Sequence, residues 1–378
     1  MRVLHVYSGN LFGGIETILV SIARGQGRIP EVAHEFALSF EGRLSEDLEA
    51  AGARVHRLPS VRASRPHSVR AARRALARIV GVGNVNCVVC HAPWALGMFG
   101  GVAARERIPL VFWAHDVMSG RHWTERLARR VVPDLAIANS NYTAQSLPHL
   151  YPTVPAVVIY APVFLSEGSA TGIERLETRR SVYTSETAVV IVTASRAEAW
   201  KGHLLLVDAL AELGHLPDWI WWQVGGAQRP AESRFLQEVR DAAVARGIAD
   251  RVRWMGERRD VPRLLAAADI HCQPNCAPEP FGVAFVEALA ARLPVVTADL
   301  GGAGEIVDTR CGLLVPPNDK TALASALSRL ITDWNYRLAL ARGGPERARR
   351  LCDPSSQLRM LATTLEEMVM SPAAASRR

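Results

Sequence analysis

Two carboxylates eight positions apart, Glu279 and Glu287, enclose a run that is otherwise apolar or glycine: Glu279-Pro-Phe-Gly-Val-Ala-Phe-Val-Glu287. Pro280 suits a first helical turn, so the spacing predicts a helix opening there and carrying Glu287 through a largely buried stretch. Eight helical residues rise ~12 Å, enough for the two carboxyls to hold different parts of one extended ligand. Burying a carboxylate is costly unless something hydrogen-bonds it. The amides of Phe281, Gly282 and Val283 would sit at the helix N-terminus, which favours phosphate. On this reading Glu279 meets a sugar at the helix mouth and Glu287 accepts from paired ribose hydroxyls. The plainer alternative is a capping glutamate followed by a buried structural one.

A second group of residues supplies positive charge. Ser195-Arg196-Ala-Glu-Ala-Trp-Lys201-Gly202-His203 follows a strand-like run and opens a helical pattern. Only two of the 44 basic residues are lysines, Lys201 and Lys320. In so arginine-biased a chain, Lys201 marks a place that needs a compact point charge. Arg196 and Lys201 near a helix start can neutralise a diphosphate leaving group, whose charge grows in the transition state. The alternative is a solvated pair at a helix cap. Gly9-Asn-Leu-Phe-Gly13-Gly14-Ile-Glu16 makes a similar turn after the first strand, where glycine lets backbone amides approach a ligand. The same turn would serve without a ligand. His115 follows the apolar strand Leu110–Trp113, although a lone histidine is more often a satisfied core or loop residue.

Elements that could position these groups alternate along the chain. Strands are expected at 2–7, 33–39, 53–58, 86–91, 109–113, 134–138 and 156–159, mostly as unbroken apolar runs. Such runs suit parallel strands buried on both faces, with helices between them. Residues 161–186 lack a long apolar run and are read as a linker. A second series then begins at Thr187–Thr193 and continues through 219–223, 251–254, 269–273, 294–297 and 312–315. The fold expected is α/β, two doubly wound units in tandem, with ligands at the carboxyl ends of the strands in a cleft between them. The first unit spans 1–165 and the second 166–353. A last helix from Asp353-Pro354 to about 370 repeats Leu358, Leu361, Leu365 and Met368 at helical spacing and is expected to pack back on the first unit. Residues 371–378 read as frayed.

Composition narrows the partners. Residues 1–165 hold 18 arginines against 11 acids, whereas the remainder balances at 26 of each, so the whole +7 lies in the first half. Arg62, Arg65, Arg70, Arg73, Arg74 and Arg78 crowd one predicted helix that also offers Val69, Leu76 and Ile79. A basic amphipathic helix can face an acceptor or an anionic membrane, with Arg70, Arg73 and Arg74 at its centre, though most such helices are solvated faces. No nucleic-acid module accompanies the charge. The chain start reads as a strand rather than a signal peptide, and no apolar run approaches the ~18 residues of a membrane span, so the expected compartment is the cytoplasm, with peripheral contact at the inner membrane face. Cys87 and Cys90 lie in a strand-like run, Cys272 and Cys276 flank a loop, and no metal site is assigned.

Glu279 to Glu287 is similar to the E-x7-E motif of family-four retaining glycosyltransferases, which have the GT-B fold of two Rossmann-like domains. Gly13-Gly14 resembles that family's glycine loop and Ala114-His115-Asp116 its histidine loop. Asn139-Ser140, Ser195-Arg196 with Lys201-Gly202, Val224-Gly225-Gly226 and Gly301-Gly302-Ala-Gly304-Glu305 fall in the family's order. Any one of these is weak, but the ordered set is specific and spans nearly the whole chain. The resemblance implies that the Gly14 amide, Arg196 and Lys201 hold the diphosphate. It implies that His115 approaches the transferred sugar near its C6 hydroxyl, with Glu279 opposite. Glu287 would bind ribose, and the loop at Trp254–Glu257 would face the base. Gly13, Gly225, Phe281, Gly282 and Val283 complete the implied donor site.

The expected reaction moves a hexose from a nucleotide diphosphate, UDP favoured and GDP second, to a glycan, lipid-linked or other hydroxyl acceptor. No Asp-x-Asp occurs in the sequence, so the usual carboxylate pair for a magnesium diphosphate is missing, and neither metal nor cofactor is expected. No carboxylate nucleophile is evident, and the family's front-face mechanism fits that gap. The competing class is a non-catalytic nucleotide-sugar-binding or regulatory protein of the same fold. A Rossmann oxidoreductase is set aside, because Gly9–Gly14 lacks the full G-x-G-x-x-G pattern.

Overall fold

The computed structural model describes residues 1–164, 172–216 and 218–371. These divide into two packed units, one running to Phe164 and resuming at Cys352, the other ending at Leu351.

The first unit is built on seven parallel strands: β1 (Arg2–Tyr7), β2 (Ala33–Leu38), β3 (Arg54–Arg57), β4 (Cys87–His91), β5 (Leu110–Ala114), β6 (Leu135–Ala138) and β7 (Ala156–Val158). Their order is β3-β2-β1-β4-β5-β6-β7, so the winding reverses between β1 and β4. β4 and β5 are buried along their whole length, as their unbroken apolar sequences require. Cys87 and Cys90 are buried in β4 and uncombined, and desolvation pushes both thiols up. The helix Pro354–Met370 belongs to this unit. Asp353 caps it by accepting from the Ser356 amide at 2.8 Å, and Leu358, Leu361 and Leu365 are buried. Gln357 accepts from the Tyr160 amide at 3.1 Å, and the Val163 amide donates to the Cys352 carbonyl.

The arginine-rich helix spans Pro66–Val82. Its apolar stripe, Ala72, Leu76 and Val80, packs into the core instead of facing outward. Leu76 is therefore unavailable to a membrane, and Val69 and Ile79 pack against the same core. Arg73 is partly committed as well: its guanidinium donates to the carbonyls of Met98 and Gly97 on the neighbouring helix. Arg70, Arg74 and Arg78 remain exposed.

The second unit has six parallel strands: β8 (Val189–Ala194), β9 (Trp219–Val224), β10 (Val252–Gly256), β11 (Ile270–Gln273), β12 (Val295–Ala298) and β13 (Gly312–Val315). Their order is β10-β9-β8-β11-β12-β13, reversing between β8 and β11. Trp219, Trp221 and Trp222 make β9 the bulkiest strand of the core. All three are buried, and each indole N–H finds an acceptor, at Leu213 O, Thr193 Oγ1 and Thr184 Oγ1. Buried tryptophans require such partners.

The linker expectation for 161–186 is corrected. Residues 165–171 lie outside the described residues, as do 372–378 of the frayed end, but Gly172–Ser181 is a helix of the second unit. Polar composition hid it, because its buried side chains are hydrogen-bonding ones. Arg179, only 3% exposed in its side chain, donates to Asp269 Oδ2 and to the carbonyls of Glu186, Ala188 and Ala267. Arg175 reaches Asp269 Oδ1 at 2.6 Å. Removing one partner of so enclosed a pair typically costs ~3–5 kcal/mol, so this helix is anchored rather than loosely tethered.

Candidate functional site

The winding reverses between β8 and β11, and at such a point neighbouring loops diverge and leave room for a ligand. The loop after β8 carries Arg196 and Lys201, and the loop after β11 carries Glu279. Two glycines hold the Glu279 loop against its neighbours, Gly202 from the loop after β8 and Gly301 from the loop after β12. Gly202 has φ +79°, and a Cβ there would lie 1.9 Å from the Pro274 carbonyl oxygen. Gly301, at φ +67°, would place one 2.3 Å from the Glu279 carbonyl oxygen. Both positions therefore need glycine for backbone angle and for closeness. The Cys276 amide donates to Trp200 O at 2.7 Å, and the Gly302 amide to Glu279 O at 2.7 Å.

Glu279 is 7% exposed. Its Oε2 accepts from Lys201 Nζ at 2.7 Å, Asn275 Nδ2 at 3.1 Å and Gln273 Nε2 at 3.3 Å. Its Oε1 accepts from no donor among the described residues. One oxygen is thus fixed in place and the other is open to a hydroxyl. Lys201 Nζ also lies 3.8 Å from the centroid of the Trp200 ring, so aromatic face and carboxylate hold the ammonium from two sides. Arg196 donates to Glu232 Oε1 at 2.9 Å and Glu198 Oε1 at 2.8 Å. Both cations are therefore held by carboxylates rather than free in solvent.

The helix expectation at this site is also corrected. Glu279 to Phe281 is not helical, and the helix spans Val283–Ala290 behind Gly282, whose φ is +101°. Glu279 instead makes a bridge with Gly301, so the ~12 Å helical rise does not separate the two glutamates. Phe281 is buried in the core, and the first-turn amides without an intrahelical partner shift to Val283 and Ala284. Glu287 lies in the second turn and is half-buried. Its carboxyl has no hydrogen-bond or ionic partner among the described residues, and desolvation pushes it up to about 7. The Gly225 amide is taken by the Gly256 carbonyl at 2.8 Å, which joins the β9 loop to the Trp254–Glu257 loop.

The first unit carries candidate residues of its own. Gly13 caps the helix Gly14–Arg24 with no side-chain hydrogen bond. His115 lies just past β5 and is 8% exposed, and burial lowers it to about 3. Its Nε2 pairs with His91 Nδ1 at 2.8 Å, while its Nδ1 is buried without a partner. Asn139 Nδ2 donates to the His115 carbonyl at 3.2 Å.

Sequence reasoning missed several of these partners. Asn275 and Gln273 position Glu279, Trp200 backs Lys201, and Glu198 with Glu232 holds Arg196. Asn275 lies four residues before Glu279, and Gln273 is the polar end of the strand that leads into this loop, so both carried a local signal. Glu232 is 36 residues from Arg196 and carried none.

Residues 188–333 match the family model described as "Glycosyl transferases group 1", and residues 12–167 match "Glycosyltransferase Family 4". The chain is 26% identical over 291 residues to the lipopolysaccharide core biosynthesis mannosyltransferase LpsB of Rhizobium meliloti (strain 1021), covering 75% of this chain and 80% of that protein. It is 30% identical over 296 residues to the D-inositol 3-phosphate glycosyltransferase of Jonesia denitrificans, covering 71% and 69%. Among other relatives the match spans as little as 40% of their length. A crystal structure of Anabaena Alr3699/HepE in complex with UDP and glucose is similar with a TM-score of 0.85, at 26% identity over 97% of this chain and 99% of that one.

Proposed function

This chain belongs to the group 1 and family 4 glycosyltransferases, and on that premise we propose that it transfers a hexose from a nucleotide diphosphate to a hydroxyl acceptor, with retention and without a metal ion. The observation that carries the reading is the pairing of Lys201 with one oxygen of Glu279 while the other oxygen stays open. Glu279 accepts from a hydroxyl of the transferred sugar, and Lys201 and Arg196 stabilise the departing diphosphate. Glu287, desolvated and unpaired, accepts from the ribose hydroxyls. Amides of Gly14 and of the turn at Gly282 and Val283 meet phosphate oxygens. His115 bears on the sugar.

In the transfer itself, the bond from the anomeric carbon to the phosphate oxygen breaks and its electron pair stays on the phosphate. The acceptor oxygen then bonds the same face of that carbon, and its proton passes to the leaving phosphate oxygen. No protein carboxylate is consumed, so Glu279 orients rather than attacks. UDP is the favoured nucleotide, since the HepE structures hold UDP and UDP-glucose, and GDP is the second candidate.

For the acceptor we propose a glycan or a lipid-linked anion. A surface groove of about 490 Å³ in the first unit is lined by Arg70, Arg73, Arg126 and Arg130 beside Trp123 and Leu127, chemistry that suits an anionic amphiphile. No helix among the described residues is long and apolar enough to cross a membrane, so contact would be peripheral. The test is a melting-temperature screen of the full chain in EDTA against UDP-, GDP- and ADP-sugars, with flotation on vesicles. A rise with a UDP-sugar and flotation with anionic but not zwitterionic vesicles are expected. No rise with any donor would sink the donor assignment, and indifference to lipid charge would sink the membrane contact.

A further inference from the structure

Four histidines cross the first sheet in a diagonal line. His34 lies opposite Val3, two residues before His5, and His5 lies opposite Val89, two before His91. His91 lies opposite Trp113, two before His115. Side chains alternate along a strand, so steps of two keep all four rings on one face. The rings are hydrogen-bonded in series: His34 Nδ1 to His5 Nε2 at 2.9 Å, His5 Nδ1 to His91 Nε2 at 2.9 Å, and His91 Nδ1 to His115 Nε2 at 2.8 Å. Their centroids are 5.1 to 5.2 Å apart.

Burial keeps these rings neutral, and each neutral imidazole carries one proton. It lowers His34 to about 4 and His115 to about 3, and holds His5 and His91 well below the usual histidine range. Each nitrogen-to-nitrogen contact needs one proton between the two atoms. Only two patterns satisfy all three contacts: every ring protonated at Nδ1, or every ring protonated at Nε2. A single ring cannot change tautomer alone without breaking a buried hydrogen bond.

The geometry points to His34, His5 and His91 as positioning residues that set the tautomer of His115 along one face of the sheet. The Nε2 pattern is the one the free protein holds. His115 Nδ1 is buried without a partner, and an orphaned donor there is worse tolerated than an orphaned acceptor. His34 Nε2, at the other end, is not among the buried unpartnered atoms and can keep its proton. His115 Nδ1 is then left as a bare, buried acceptor. The link to a sugar rests on the proposed transferase reading, whereas the coupling of the four tautomers does not.

The experiment is a long-range proton–nitrogen NMR correlation on the full chain labelled with ¹⁵N-histidine, recorded without substrate. Four Nε2–H tautomers are expected at His34, His5, His91 and His115. His5→Phe keeps an aromatic ring beside Phe36 but cuts the chain, and should give His115 a second tautomer at tens of per cent. His5→Gln, which can donate on one side and accept on the other, should restore a single one. Mixed tautomers among the four wild-type rings, or an unchanged His115 in His5→Phe, would overturn the proposal. The wild-type spectrum decides even if both variants fail to fold or the protein transfers no sugar.

Discussion

Glu279→Ala is expected to lower kcat/KM for transfer on the order of 10³-fold, as losses of transition-state contacts do, while both units stay folded. Two effects add. The open Oε1 disappears, and with it the proposed hold on the sugar. The organised Oε2 disappears as well, leaving Lys201, Gln273 and Asn275 without their common acceptor. A buried ammonium stripped of its partner costs ~3–5 kcal/mol, so Lys201 should leave its seat on Trp200 and stop marking the diphosphate position. Glu279→Gln separates the terms, since the amide oxygen can still accept but the charge is gone. It should lose less than the alanine variant in donor KM and nearly as much in kcat. Steady-state transfer and donor hydrolysis, read beside a circular dichroism melt, check this. Normal turnover by the alanine variant would remove Glu279 from the site.

Glu287→Gln is expected to stabilise the free protein at pH 8 and to weaken UDP binding ~10- to 100-fold, the loss of one or two good hydrogen bonds to a charged group. The Glu287 carboxyl is raised from 4.5 to about 7, so the folded state favours its protonated form. That contribution to stability is fully present below pH 4.5 and is lost as pH rises through 7. At ~1.4 kcal/mol per unit the shift amounts to ~3 kcal/mol, which partial exposure reduces to ~1–2. The amide escapes this cost, so the melting temperature should rise by ~2–6 °C at pH 8 and by little at pH 5. Ribose hydroxyls need the carboxylate, so wild-type UDP affinity should fall as pH drops below 7. A variant that melts lower at pH 8 yet binds UDP normally would contradict the assignment.

Much of this architecture was legible because parallel strands buried on both faces leave unbroken apolar runs. The strand ends fall within a residue or two of expectation, and the order of the glycine, histidine and E-x7-E segments marked the family. Tertiary contacts were the unreadable part. Pro280 suggested a helix start, but Glu279 bridges to Gly301 and Gly282 turns left-handed, so the helix waits until Val283. Gly172–Ser181 looked like linker because its buried side chains are arginine and threonine. The arginine-rich helix looked available to a membrane because nothing local reveals that Leu76 faces the core. The four histidines were visible as letters, but only the strand order β2-β1-β4-β5 aligns them.

Retention and metal independence are tested together by following a UDP-hexose with the wild-type full chain in EDTA by proton NMR, reading the anomer of the first sugar released or transferred. The account predicts that UDP and the α-anomer form first, without added metal. Release of the β-anomer first, or turnover that appears only when a divalent metal is restored, would contradict it.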